Sequence, residues 1–96
     1  MAEKIRIHLF VSGRVQGVLF RQHARAKALE LGLTGWARNL LDERVEIIAE
    51  GEKENIEKFI ERCKKGPPLA KIGHVDAVGE EYKGEFKEFS VREFGF

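Results

Sequence analysis

The hydrophobic pattern of this 96-residue chain changes period along its length, and that switching limits the possible folds more than any single residue does. Ile5, Ile7, Leu9 and Val11 alternate with polar neighbours, which predicts a half-buried strand over about residues 4–12. The strong helix formers from Gln22 to Leu31 then predict a helix over about 21–32, stopped at Gly32. Alternation returns from Leu33 to Leu40 and again from Arg44 to Glu50, where Val45, Ile47 and Ala49 share a face. The short Leu41-Asp42-Glu43 link makes these two strands an antiparallel hairpin. Beyond Gly51 the period lengthens once more. Ile56, Phe59, Ile60 and Cys63 form one helical stripe, which Gly66-Pro67-Pro68 terminates. A fourth strand is expected between Ala70 and Val78, a charged loop over Glu80–Glu88, and a short closing strand around Glu88–Glu93.

The resulting order is β-α-β-β-α-β with an added terminal strand. Two βαβ units sharing one antiparallel sheet, with two helices on one face, define an α+β fold, the ferredoxin-like plait. The length suits a single domain, residues 1–96. This fold hosts metal carriers, RNA binders, regulatory modules and enzymes, so the residues must decide the occupation.

Several occupations fail on composition. Seventeen basic residues against sixteen acidic ones leave a net charge of +1, without the basic surplus expected of a nucleic-acid binder. The strand Arg44-Val45-Glu46-Ile47-Ile48-Ala49-Glu50 lacks the stacking aromatics of an RNA-recognition sheet. His8, His23 and His74 are scattered, and one cysteine makes no Cys-x-x-Cys loop, so no metal site or cofactor is expected. Cys63, on the apolar stripe, reads as a buried inert thiol. A lone cysteine, no apolar run of spanning length and no leader pattern fit a cytoplasmic protein without membrane contact. The many charged residues and few Asn and Gln are compatible with a heat-adapted source.

The chemistry concentrates in Gly13-Arg14-Val15-Gln16-Gly17-Val18-Leu19-Phe20-Arg21, between the first strand and the first helix. A glycine-bearing loop here lets backbone N–H groups converge on an anion, helped by the helix's unsatisfied donors and positive dipole end. Gly13 and Gly17 permit positive φ, and Arg21 adds a fork of donors suited to phosphate oxygens. A cation in the first helical turn is mismatched to the dipole by about 0.3–1 kcal/mol unless an anion compensates it. No Gly-Lys-Ser/Thr follows, so the loop is not a Walker motif. Locally it reads either as a phosphate cradle or as a plain tight connection.

A second segment, Gly35-Trp36-Ala37-Arg38-Asn39, places an amide near the end of the second strand. Sequence physics leaves open whether that end lies beside the loop. Asn39 also suits a turn, Trp36 suits packing on a sheet face, and Arg14 and Arg38 suit solvated surface roles. Phe20 reads as an anchor of the loop in the core.

Gly-Arg-Val-Gln-Gly-Val-x-Phe-Arg followed by Gly-Trp-x-x-Asn resembles the paired signature of the acylphosphatases. The resemblance extends through Leu31–Trp36, Val45-Glu46, Glu50-Gly51 and Gly66-Pro67-Pro68-Leu69-Ala70. It implies a metal-independent hydrolase on an α/β plait that splits acyl phosphates into a carboxylate and inorganic phosphate. The family's essential arginine would be Arg21, its essential asparagine Asn39, and its phosphate-binding backbone Val15, Gln16, Gly17, Val18, Leu19 and Phe20. Arg21 and the loop amides would hold the phosphoryl oxygens while Asn39 orients the water. The implied partners are a small-molecule acyl phosphate and inorganic phosphate as product and competitor, acting on a monomer. A non-enzymatic phosphate- or acyl-phosphate-binding regulatory module on the same plait is the alternative. Two departures bear on activity. Ala24 stands where many members carry Ser or Thr, and Leu41-Asp42-Glu43 stands where many carry Pro-Asp-Gly.

Overall fold

A computed structural model describes residues 3–94. Seven elements follow the expected order: β1 Lys4–Arg14, α1 Phe20–Glu30, β2 Thr34–Asn39, β3 Val45–Glu52, α2 Lys53–Lys65, β4 Lys71–Glu80 and β5 Phe89–Phe94. They form one five-stranded sheet in the order β4-β1-β3-β2-β5. β1 pairs antiparallel with β3 and β4, and β2 antiparallel with β3. β5 lies parallel to β2, so the sheet is mixed and not wholly antiparallel. The parallel edge follows from connectivity, because β4 ends at the end of the sheet where β2 begins and the 81–88 segment crosses along that end to start β5 there. The fold is the ferredoxin-like α/β plait with an extra C-terminal strand.

Both helices cover one face. Ile7, Leu9 and Val11 of β1, Ala37 of β2, and Val45, Ile47 and Ala49 of β3 pack beneath them. α1 contributes Phe20, Ala24 and Ala28, and α2 contributes Ile56, Phe59 and Cys63 from the expected stripe. Ile60, also on that stripe, is half-buried against the same core. Phe59 meets Phe89 edge-on with ring centroids 6.0 Å apart, tying α2 to the sheet's last strand. Element ends differ from the sequence reading by one or two residues, as terminal hydrogen bonds commonly do. α1 begins at Phe20, and β3 runs on through Glu52.

The stop at Gly32 has a clear geometry. Leu33 N–H donates to the Ala28 carbonyl at 2.8 Å and Gly32 N–H to that of Leu29 at 3.2 Å, with Gly32 at φ 67°. This is a Schellman cap, which needs a left-handed residue at its turn and favours glycine there. It turns the chain directly into β2.

The opposite sheet face has no helical cover. It is closed by long charged side chains instead. Arg6 pairs with Glu80 at 3.1 Å and also with Glu85. His8 lies between Glu80 at 2.9 Å and Glu46 at 2.6 Å, and Arg38 reaches Glu46 at 2.6 Å. Hydrogen bonding to His8 is the main influence that holds the Glu80 carboxyl below the usual carboxylate range. The 81–88 segment is less free than its charge suggests, because the Lys83 and Gly84 amides donate to the buried Glu50 carboxylate.

Candidate active site

The site lies at the end of the sheet where β1 stops and α1 starts. Residues 15–19 link these elements in a tight loop with two left-handed positions, Gly17 at φ 73° and Leu19 at φ 63°. Gly17 takes this conformation at little cost, whereas Leu19 bears strain of about 1–2 kcal/mol. The hydrophobic side chains hold the turn in place. Val15, Val18 and Phe20 are buried, while Gly17 and Leu19 face solvent. The loop therefore hangs from the core by these three residues, with Gly17 and Leu19 exposed between them.

Leu19 is the N-cap of α1 and makes no side-chain capping bond. No acidic residue occupies the first turn. The helix thus presents its first amide donors and positive dipole end uncompensated by any capping group, the condition under which an oxyanion binds.

Arg21 is half-buried in the first turn of α1. Its Nη1 donates to the Arg92 carbonyl of β5 at 2.5 Å, which orients the guanidinium and leaves its other donors for a ligand. The anchoring oxygen is main-chain, so no side-chain pattern in the sequence marks it.

Asn39 is the last residue of β2 and lies opposite Val45 of β3. Gln16 brings this strand end to the loop. Its Nε2 donates to the Leu40 carbonyl at 2.8 Å and the Arg44 carbonyl at 3.0 Å. One side chain of the cradle thus clamps both shoulders of the hairpin turn that follows Asn39. The sequence reading assigned Gln16 only through its backbone, and its side chain is the direct connection between the two motifs.

The turn does not need Asn39. Asp42 supplies the local bond, its Oδ1 accepting from Arg44 N–H at 3.1 Å, while Glu43 N–H closes onto the Leu40 carbonyl at 3.2 Å. The Arg44 guanidinium beside Asp42 holds that carboxyl below its ordinary range. Asn39 Oδ1 is buried with no hydrogen-bond partner among the described residues. Glu43 takes the left-handed conformation at φ 74° that a glycine would take without strain.

Other candidates fall into structural places. Arg38 is not simply solvated, since it bonds Glu46 and its guanidinium lies 4.6 Å from the Trp36 ring centroid. Arg92 lies 4.9 Å from the same ring, which makes Trp36 a stacking post between strands. Arg14 is exposed, and Ala24 is fully buried on the core face of α1. Burial pushes the Cys63 thiol up to about 12, so it is not a nucleophile. Among the described residues no group of three or more His, Cys, Asp or Glu could hold a metal ion. No helix among them is long and apolar enough to cross a membrane.

An α/β plait that gathers an amide loop, a helix-borne arginine and a strand-end asparagine at one end is a small single-sheet protein with a candidate anion site. Comparison with known proteins narrows the class. The acylphosphatase family model matches residues 7–91. An acylphosphatase of Methylococcus capsulatus is 51% identical over 86 residues, covering 90% of this chain and 94% of the relative. The crystal structure of Bacillus subtilis acylphosphatase superposes with a TM-score of 0.89 at 34% identity, over 92% of this chain and 98% of that one. The structure of a Coxiella burnetii acylphosphatase does so at 0.88 and 42% identity, over 93% of each chain. The chain belongs to the acylphosphatase family, and it is a hydrolase.

Proposed function

We propose that this protein hydrolyses acyl phosphates to a carboxylate and inorganic phosphate, with the 15–20 backbone and Arg21 binding the phosphoryl group and Asn39 orienting the water. The observation that carries this reading is the Gln16 clamp. It ties the turn after β2 to the loop that leads into an uncapped helix N-terminus, which supports reading an anion donor set and an amide as acting on the same molecule.

The reaction needs little more. Water oxygen forms a bond to phosphorus as the bond from phosphorus to the acyl oxygen breaks, and the carboxylate leaves with that electron pair. Charge on the phosphoryl oxygens meets donors already fixed in place, which is where preorganised electrostatics contributes most. Asn39 is neutral and serves by position, since a side-chain amide both donates to and accepts from water. The carboxylate is a good leaving group and needs no general acid. The phosphate oxygens themselves are available to take the proton that water gives up.

The test is benzoyl phosphate hydrolysis in the presence of a chelator. Arg21→Ala is expected to lower kcat by at least about 10²–10³-fold, the scale of a principal oxyanion donor. Asn39→Ala is expected to keep inorganic phosphate inhibition while turnover collapses. Full activity in Arg21→Ala would overturn the mechanism, and equal loss of phosphate affinity in Asn39→Ala would make Asn39 a support of the loop.

A further inference from the structure

The helix layer carries a second electropositive feature next to the cradle. A cleft of about 400 Å³ opens between α1, α2 and the 66–70 turn. His23 and Lys27 line it from α1, and Arg62 and Lys65 line it from α2, with no acidic side chain among the lining residues. The nearest compensation is Glu30, 3.7 Å from the Lys27 ammonium and outside the cleft. Arg62 and Lys65 have no carboxylate partner within 4.0 Å among the described residues. The His23 imidazole registers this environment. Burial, foremost, and then the charges of Lys27 and Arg62 push it below the ordinary histidine range, against a smaller opposing influence of Glu30.

Helix electrostatics accounts for the cations of each helix taken alone but not for their meeting. Arg62, Lys64 and Lys65 occupy the last turn of α2, where cations complement the dipole. Lys27 likewise lies in the last turn of α1, but the dipole gives no reason for α1 to place Lys27 and His23 across from Arg62 and Lys65. Like charges brought together from two elements cost stability unless an anion joins them.

We propose that this cleft is a second anion site that takes a phosphate group, either free or at the exposed end of a phosphate monoester. Arg62 offers a planar fork of donors, Lys27 and Lys65 offer ammonium groups, and His23 offers a ring N–H, a set suited to a dianion with several oxygens. The site is separate from the cradle. His23 N–H donates to the Leu19 carbonyl at 3.0 Å, so His23 stands one helical turn, about 5.4 Å of rise, from the loop. Arg21 turns toward β5, whereas His23 and Lys27 turn toward α2.

His23 is a built-in reporter. Its ring signals would be titrated by NMR at constant ionic strength in chloride alone, with sodium phosphate, and with ribose 5-phosphate. Free phosphate is expected to raise the His23 midpoint by about one pH unit, as an opposite charge at contact range does. In Lys27→Gln/Arg62→Gln protein the phosphate-induced shift is expected to vanish while benzoyl phosphate hydrolysis persists. A matching shift with ribose 5-phosphate supports a site open to a phosphate on a larger molecule, and a shift with free phosphate alone supports a free-ion site. No phosphate-dependent shift in the wild type would overturn the proposal. So would an equal shift in the double variant, which would put the anion in the cradle.

Discussion

Glu43 shows how one residue's backbone state bears on the site. At φ 74° it holds a conformation that disfavours any side chain with a Cβ, at the turn clamped by Gln16. Glu43→Gly is expected to stabilise the protein by about 0.5–1 kcal/mol, after glycine's own entropy in the unfolded chain offsets part of the gain. Urea unfolding checks this as a higher midpoint at unchanged m. The missing turn glycine was legible in the sequence, and so was Arg21 as a candidate, because a cation in a first helical turn contradicts the dipole. The part proposed for Asn39 was not. Asparagine is common in turns, and only the bond from Arg44 N–H to Asp42 shows that the turn is served by another residue.

Between elements, Gln16 is the connection that counts. Both of its carbonyl partners also accept from backbone amides, Leu40 from Glu43 and Arg44 from Leu40, so removing the side chain loosens the clamp without orphaning either oxygen. Gln16→Leu is expected to cost about 1–2 kcal/mol of stability, the worth of two hydrogen bonds. It is also expected to lower kcat more than it raises KM, because the loop keeps its amides while the end of β2 drifts from them. Steady-state kinetics on benzoyl phosphate would show that split. The elements themselves were readable from periodicity, and their ends moved by only one or two residues. The parallel pairing of β5 with β2 was not readable, since a short strand of six residues carries no local mark of the direction of its neighbour.

For the whole molecule, acid sensitivity follows from groups scattered over both layers. His23 titrates below its unfolded value of 6.5, so its contribution is present above that pH and declines as pH falls toward the folded value. Asp42 and Glu80 are likewise held down, so their contributions are present above the usual carboxylate range, about pH 4, and are lost below it. The thermal midpoint is therefore expected to drop in two stages, first as pH falls below about 6.5 and then below about 4. His23→Gln is expected to flatten the first stage alone, which scanning calorimetry across pH would check. The Arg6, His8, Arg38, Glu46 and Glu80 network on the open sheet face joins residues up to 74 positions apart, and no spacing in the chain announces it.

The sequence by itself determined the plait, the core stripes and the two motifs, because periodicity and turn chemistry act over a few residues. Tertiary structure decided what those motifs share. Arg21 is aimed by a main-chain carbonyl 71 residues away, and Gln16 meets a turn 24 and 28 residues on. It also decided that cations from two helices converge in one cleft. Contacts of this kind depend on how packed elements are placed in space, and a local pattern holds no record of that placement.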